Sequence, residues 1–511
     1  MIKIKSIKFK DHDILGDLEL DFCDKDGNPA DTIIIAGENG TGKTTILEEI
    51  EKILTYNFDK NVSYEIVNNG NIFKYENGQF WNNNNSVNYS PSVYIGGVSA
   101  SNFSNKSDSD RFIESSNFKK PLFATVNINF SQNKKIRNFG SNNIDIDDDE
   151  RKKFTDKTAE NIKQLFADMI NYDYKIRAEK YDEIFKNADI INSDDKVKVE
   201  KITKKIQDEM NTNLTLKMDR FKKVFNKDLF KELKFKGIDN IDNNIEILFE
   251  KNGKEISIDD LSSGEKQIVF RGAFLLRDKE ALNGAVVLID EPEISMHPKW
   301  QEKILGYYQK LFVDGDKQTS QIIVSTHSNF VIEKALELDN SIIIALQENN
   351  DKPKKIMKND VTFILPSVTA AEVNYHIFDI ASIDYHIQLF GYFQSITGII
   401  QIKDVDNKIK NNQKLLPKVD NKIKNNQELL PENVLKDSQG NSYKWEYTDK
   451  KGNKTEYDTI CCFIRNAIDH PENLPNQKQN GLKAKYTDDE LRYSIEILIE
   501  LVNLAKQNNL N

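Results

Sequence analysis

The chain has 511 residues, room for three or four domains at about 150 residues each. Lys and Arg number 71 against 81 Asp and Glu, and the net charge of −10 excludes a protein that coats nucleic acid broadly, though not a local basic patch. With 22 Gly and 11 Pro the chain is neither collagen-like nor a Pro-rich linker, and Cys23, Cys461 and Cys462 are too few for a disulfide framework or a four-cysteine zinc site, so a reducing cytoplasm is expected.

Residues 1–10 alternate apolar and polar, as a strand does, and lack the apolar core of an export signal. Residues 17–22 repeat the alternation. Residues 32–36 form a continuous apolar run, the pattern of a buried strand, followed by a Gly-rich turn and a helix over 43–56. Between 57 and 120 Asn and Ser dominate; 92–98 and 122–130 read as strands. From 149 to 236 charge is dense, and Ile162, Leu165, Phe166, Met169 and Ile170 recur at helical spacing. That segment reads as a helical arm inserted into an α/β core, without the run of heptads a long coiled coil needs. Residues 243–258 read as a hairpin turning on Asn252-Gly253. A second α/β block, from 260 to about 348, has strands at 285–289, 321–325 and 341–346. The longest apolar runs are strand-length, so no membrane span is expected. After Pro366 the pattern is helical, interrupted by a tandem repeat in which 405–417 recurs as 419–431 with Lys414 replaced by Glu428. It reads as a duplication in a tolerant connector; seven lysines against three aspartates over 401–425 make it basic, either as a solvated surface or along an RNA backbone.

Gly37-Glu-Asn-Gly40-Thr-Gly42-Lys43-Thr44 fits G-x-x-x-x-G-K-[ST] between an expected strand and an expected helix, the context that makes a P-loop. Glycines let backbone N–H groups turn inward onto phosphate oxygens, and the helix N-terminus faces the same anion. Lys43 supplies a point charge and Thr44 a hydroxyl for Mg²⁺. Asp290 and Glu291, after five apolar residues, sit where such a fold needs a Mg²⁺-holding carboxylate and a general base for the attacking water. Leu261-Ser-Ser-Gly264-Glu265-Lys-Gln267 lies about 30 residues earlier and opens a helix, with Ser262 or Ser263 as its N-cap. In that position it resembles the signature motif of ABC-type ATPases, in the form used by the SMC, RecF and OLD-like branch. The resemblance covers about 1–60 and 243–348. It implies an α/β P-loop ATPase head binding ATP and Mg²⁺. Gly37, Asn39, Gly40, Gly42, Lys43, Thr44 and Thr45 would hold the nucleotide, and Thr44 and Asp290 the metal. It also implies a homodimer, or a higher even-numbered oligomer, in which Ser263, Gly264 and Glu265 of one subunit face the nucleotide of the other. His327, after the strand at 321–324, resembles the switch histidine that contacts the γ-phosphate. Residues 291–300 resemble the D-loop region of OLD-like defence ATPases; His297 there reads equally as packing or a dimer contact. Gln132 is the expected Q-loop residue.

Apolar residues at Ile460, Phe463, Ile464, Ala467 and Ile468 suggest a buried helix that Pro471 ends, with Arg465 and Asn466 in its last turns and His470 at its end. The alternative is that Arg465 and His470 simply favour the helix C-terminal dipole. Arg465-Asn466-x-x-x-His470 resembles the R-N-x-x-x-H motif of HEPN ribonucleases, small helical bundles that pair across a dimer and use no metal. The resemblance implies His470 as general acid or base, Arg465 as the group that stabilises the scissile phosphate and Asn466 as their orienter, acting on an RNA, with tRNA one candidate. Glu372, Asn374 and His386 form a second polar cluster, placed on one helix, with a supporting or a hydrogen-bonding role. A P-loop head joined to such a bundle is the arrangement of PrrC- and RloC-type anticodon nucleases. Four segments follow: the N-terminal part of the head (1–148), the arm (149–240), the rest of the head (241–365) and a helical HEPN-like effector (366–511). The expected function is an ATP-gated ribonuclease in anti-phage defence. The competing expectations are a sensor ATPase acting with a separate effector or phage trigger protein, and a RecF-like DNA-sensing repair ATPase.

Overall fold

The computed structural model describes residues 1–54, 61–68, 70–76, 79–82, 94–95, 98–99, 122–124, 165–166, 169–178, 199–201, 204, 216–241, 244–276, 284–347, 353–357, 363–410, 445–448, 451–452, 454–457, 459–469 and 486–507. Gln132, His470 and the second copy of the duplicated connector lie outside these. The chain divides into two compact units, Met1–Lys358 and Asn359–Asn511.

The alternation of the first residues yields β1 (Ile2–Phe9), paired antiparallel with β2 (Glu19–Asp21). The apolar run becomes β3 (Thr32–Gly37), and α1 (Lys43–Leu54) follows it. Strands β4 (Val62–Asn68), β5 (Asn71–Glu76) and β6 (Gln79–Asn82) complete an antiparallel sheet in the order β2-β1-β4-β5-β6. Two short strands, β7 (Tyr94–Ile95) and β8 (Val98–Ser99), pair with each other, and β9 (Leu122–Ala124) follows.

Next come α2 (Lys217–Val224), one π turn, and β10 (Leu233–Ile241), β11 (Asn244–Lys251) and β12 (Lys254–Ser257). Asn252 and Gly253 have φ of 53° and 75°, the primed-turn geometry expected of that hairpin. β10 corrects the sequence reading: Leu233 onward is strand, inside the stretch expected to be a helical arm. Leu233 and Phe235 alternate with exposed lysines and bury against β11, so period two overrides the charge density.

The signature segment opens α3 (Ser263–Leu276), then β13 (Val286–Asp290), α4 (Pro298–Leu311), the hairpin β14 (Val313–Asp314) and β15 (Lys317–Gln318), β16 (Gln321–Thr326), α5 (Asn329–Leu336), β17 (Ser341–Leu346) and β18 (Lys354–Met357). The second sheet runs β18-β17-β3-β16-β13-β9, parallel except for the edge strand β18. Because β3 is central, Ile33, Ile34 and Ile35 are fully buried, each contributing roughly 1.5–3 kcal/mol. α1 and the inner face of β1 share that core. The carboxamide of Gln321 ties the two sheets: Ile4 N–H donates to its Oε1 at 2.7 Å, and its Nε2 donates to Ile4 O at 3.0 Å and Ala30 O at 2.9 Å. These bonds fall at the register shift of β1 between Ile4 and Ser6, where the ladder is interrupted.

An aromatic layer joins Phe166 and Phe221 to Phe235, and Phe225 to Phe249 and Tyr307. At its edge α3 and α4 approach so closely that a Cβ on Gly272 would stand 2.1 Å from the Tyr307 hydroxyl. Asp173 accepts from Lys217 N and Met218 N, both at 2.8 Å, pinning the start of α2; burial raises its carboxyl to about 6.

Unit Asn359–Asn511 contains, among the described residues, α6 (Ala370–Phe378), α7 (Ile383–Thr397), α8 (Ile402–Lys410), the hairpin β19 (Trp445–Thr448) and β20 (Lys454–Tyr457), α9 (Ile460–Asp469) and α10 (Asp488–Lys506). Their apolar faces form one core that includes Phe390, Phe393, Ile464, Leu498 and Leu501. Thr369 and Ser382 cap α6 and α7, and Thr487 with Glu490 makes a capping box at α10.

Candidate functional site

The loop after β3 turns on Gly40 and Gly42, both at φ 86°, a region side chains disfavour. It delivers Lys43 and Thr44 to the first turn of α1. Lys43 is 4 % exposed, and its Nζ donates to the Glu38 carbonyl at 2.8 Å within the loop. Burial pulls its ammonium below the usual lysine value, against the opposing pull of Glu291, Asp290 and Glu293. Across the sheet β13 ends on Asp290, whose Oδ2 accepts the Thr44 hydroxyl at 2.9 Å and whose Oδ1 accepts the Ser325 hydroxyl. Burial raises the Asp290 carboxyl, and the Ser325 and Thr44 hydroxyls partly offset it. A hydroxyl and a carboxylate converging at the mouth of a glycine-turned loop suit a hard divalent cation, which takes few protein oxygens and keeps the rest for phosphate and water. The donor set therefore fits Mg²⁺, and the loop fits a nucleotide phosphate.

One residue on, the backbone changes hand: Glu291 has φ 42°, which costs energy in a non-glycine residue and aims its side chain away from the strand. The carboxylate meets the imidazole of His327, with Oε1 3.0 Å from Nε2. The Glu291 amide donates to Ser325 O at 3.1 Å, and its carbonyl accepts from Arg271 Nη1 at 2.9 Å. Lys43, Thr44, Asp290, Glu291 and His327 thus gather past the C-terminal ends of the interior strands β3, β13 and β16.

The signature segment lies on the same unit. The Ser262 hydroxyl accepts Glu265 N at 3.4 Å, while Glu265 Oε2 accepts Ser262 N at 2.8 Å, so the N-cap is Ser262. Lys251 Nζ holds Glu265 at 2.8 and 3.0 Å. Burial raises the Glu265 carboxyl, but Lys251 and Ser262 outweigh it and leave it low. Ser263 is exposed, and Gly264 presses on the loop after β13: a Cβ there would stand 2.4 Å from Ser295 O. His297 proves to be a helix cap, its Nδ1 accepting Lys299 N at 3.2 Å with Pro298 opening α4.

Sequence reasoning missed three residues here. Ser325 holds Asp290, Arg271 holds Glu291 from α3, and Glu293 accepts His327 N and the Thr326 hydroxyl, both at 2.7 Å. Arg271 had a signal, because it is a charge among Ile268, Val269, Ala273 and Leu275 on a helix that is otherwise apolar there.

In the second unit Arg465 and Asn466 lie on α9 as expected. Arg465 pairs with Asp469 one turn on, and its guanidinium is 6.0 Å from the Phe390 ring. Asn466 is 7 % exposed and its Nδ2 has no hydrogen-bond partner among the described residues. The second polar cluster does not share one helix: Asp379, at φ 55°, ends α6 and Ser382 starts α7. Glu372 instead accepts Ile364 N at 2.6 Å and Leu365 N at 3.1 Å. His386 is fully buried, with Nε2 2.8 Å from Ser494 Oγ. Burial, then the charge of Arg465, lowers its imidazole to about 3, so it is neutral at ordinary pH. The described residues contain no group of three or more His, Cys, Asp or Glu placed to hold a metal, and no helix long and apolar enough to cross a membrane.

Among curated proteins the chain is 38% identical over 91 residues to the Retron Vc95 probable ATPase of Vibrio cholerae serotype O1 biovar El Tor, covering 16% of this chain and 17% of that protein. It is 33% identical over 93 residues to the Retron Ec83 probable ATPase of Escherichia coli, 16% of each chain. The matched part is therefore about a sixth of those relatives' length. Among solved structures, the Smc head domain with an extended coiled coil bound to the C-terminal domain of ScpA, from Pyrococcus furiosus, aligns over 70% of this chain and 96% of its own with 13% identity and a TM-score of 0.35. A Smc head bound to the C-winged helix domain of ScpA gives 69%, 97%, 13% and 0.34. The family model described as "AAA domain, putative AbiEii toxin, Type IV TA system" matches residues 33–333, which is more than half of the chain and runs from β3 through α5. The chain belongs to that family of AAA-type ATPases.

Proposed function

We propose that the protein is an ATP-binding and ATP-hydrolysing switch that works as a dimer and controls a C-terminal RNA-cleaving unit in anti-phage defence. The observation that carries the ATPase part is the convergence of Thr44 on Asp290 at 2.9 Å with Glu291 on His327 at 3.0 Å beside a buried Lys43. Gly37, Asn39, Gly40, Gly42 and Thr45 wrap the phosphates with backbone amides. Lys43 leaves the Glu38 carbonyl for the β- and γ-phosphates. Thr44 and Asp290 would hold Mg²⁺, which when bound would neutralise charge on the phosphate oxygens. Glu291 accepts the proton of the attacking water, and His327 orients it and senses the γ-phosphate. Exposed Ser263, with Gly264 and Glu265 behind it, faces the nucleotide of a second copy, so that closure of the dimer completes each site.

The ribonuclease part rests on Arg465 and Asn466 standing in the last turns of α9 within a helical unit. His470 moves protons between the ribose 2′-hydroxyl and the leaving oxygen, Arg465 stabilises the scissile phosphate, and Asn466 orients them; a tRNA is the favoured substrate class. A second reading, a sensor ATPase acting on a separate effector, is favoured by the pairing of Arg465 with Asp469, which engages one guanidinium nitrogen within the helix.

The test is cleavage of total RNA by the purified chain, by His470→Ala and by Glu291→Gln, with and without ATP, mapping new 5′-hydroxyl ends. Cleavage lost in His470→Ala and altered in Glu291→Gln is the expected result. ATP hydrolysis with no RNA cleavage in any condition selects the second reading.

A further inference from the structure

Two glutamates of one short turn close on one histidine from opposite ends. Glu291 meets the imidazole of His327, and Glu293 meets its backbone. Glu293 Oε1 accepts His327 N and Thr326 Oγ1, both at 2.7 Å, and Thr326 Oγ1 accepts Ser328 N at 3.0 Å. Three consecutive residues therefore hang on a single carboxylate oxygen. Glu293 is 9% exposed, and its Oε2 has no hydrogen-bond partner among the described residues. Burying a carboxyl with one oxygen unmatched is costly, and an apolar side chain of similar size would pack there without that cost. The turn that carries both glutamates is itself fixed. Arg271 holds the Glu291 carbonyl at 2.9 Å, and Met296 N donates to the Glu293 carbonyl at 3.0 Å.

We infer that Glu293 is a positioning residue for hydrolysis, holding the backbone of His327 so that its imidazole stands against Glu291. The inference rests on the ATPase reading above. The hydrogen bonds of the Glu293 side chain go to Thr326 and His327, not to the phosphate loop or the Thr44–Asp290 pair. The Glu293 charge does reach Lys43, so its loss is expected to free the His327 loop with a much smaller effect on nucleotide binding. A residue that only supported the fold would damage both together.

The test uses the full chain as wild type, Glu293→Ala, Glu293→Gln, Thr326→Val and Glu291→Gln. It reads kcat and KM for ATP hydrolysis and, separately, the Kd for ATP. Glu293→Ala is expected to lower kcat about 10- to 100-fold, the scale of a misplacement near 1 Å, with Kd within about twofold. Glu293→Gln keeps an acceptor oxygen for His327 N and recovers most of the loss. Thr326→Val keeps the Glu293–His327 bond and stays within severalfold of wild type, so the comparison of Gln with Val survives if the alanine variant does not fold. A wild-type kcat in Glu293→Ala, a parallel fall of affinity and kcat, or a Gln variant as poor as Ala overturns the inference. A hydrolysing wild type with an inactive Glu291→Gln and an unimpaired Glu293→Ala overturns this inference alone. A wild type that binds ATP without ever hydrolysing it overturns the ATPase reading and this inference with it.

Discussion

Gly272 sets how closely the signature helix α3 packs on α4, and replacing it tests that packing. A Cβ at 272 would lie 2.1 Å from the Tyr307 hydroxyl, 3.1 Å from its Cζ and 3.2 Å from Phe221 Cε2. Tyr307 is 1 % and Phe221 0 % exposed, so neither ring can step aside. Overpacking of this kind costs about 1–3 kcal/mol, while exchanging Gly for Ala inside a helix returns about 1 kcal/mol. Gly272→Ala should therefore be net destabilising by up to about 2 kcal/mol. The Tyr307 hydroxyl is buried without a hydrogen-bond partner among the described residues, so Tyr307→Phe alone should be neutral or stabilising. In the Gly272→Ala background the same change removes the worst overlap and should restore most of the loss, a coupling of about 1 kcal/mol or more. Urea unfolding followed by tryptophan fluorescence reads all four proteins, with Trp300 on α4 packed on Phe230 at 4.9 Å as a nearby reporter. Additive effects of the two substitutions would refute the reasoning.

Gly264→Ala would place a Cβ 2.4 Å from a backbone oxygen, Ser295 O, and so must push the loop after β13 outward. ATPase turnover should fall by about 10-fold or more with little change in ATP affinity, and an unchanged kcat would count against the contact. His386 titrates at about 3 in the fold against an ordinary 6.5, so the folded unit binds fewer protons than the unfolded chain between those values. Its contribution is fully present above pH 6.5 and is lost progressively as pH falls toward 3. The stability of His386→Phe should decline less steeply than wild type below pH 6.5, and parallel pH profiles would contradict a buried neutral imidazole.

The phosphate loop was legible because its chemistry is local: glycines, a lysine and a hydroxyl within eight residues, between a strand and a helix whose periods differ. Asp290 and Glu291 were legible because two carboxylates end an apolar run. Arg271, Glu293 and Ser325 were not, since each acts through a partner that only the tertiary fold supplies: Glu291 lies 20 residues from Arg271, and His327 lies 34 from Glu293. The end of the inserted arm was misplaced because Lys234 and Lys236, on the exposed face of β10, continue the charge of the helices before it. His297 was ambiguous for a related reason, since a cap is defined by backbone geometry that one residue's identity does not reveal.

The most direct measurement is ATP binding and single-turnover hydrolysis by wild type, Lys43→Ala and Glu291→Gln side by side. The account predicts that Lys43→Ala loses binding, while Glu291→Gln binds ATP like wild type and turns it over about 10²–10³-fold more slowly. Wild-type turnover in Glu291→Gln, or hydrolysis that survives Lys43→Ala, would contradict it.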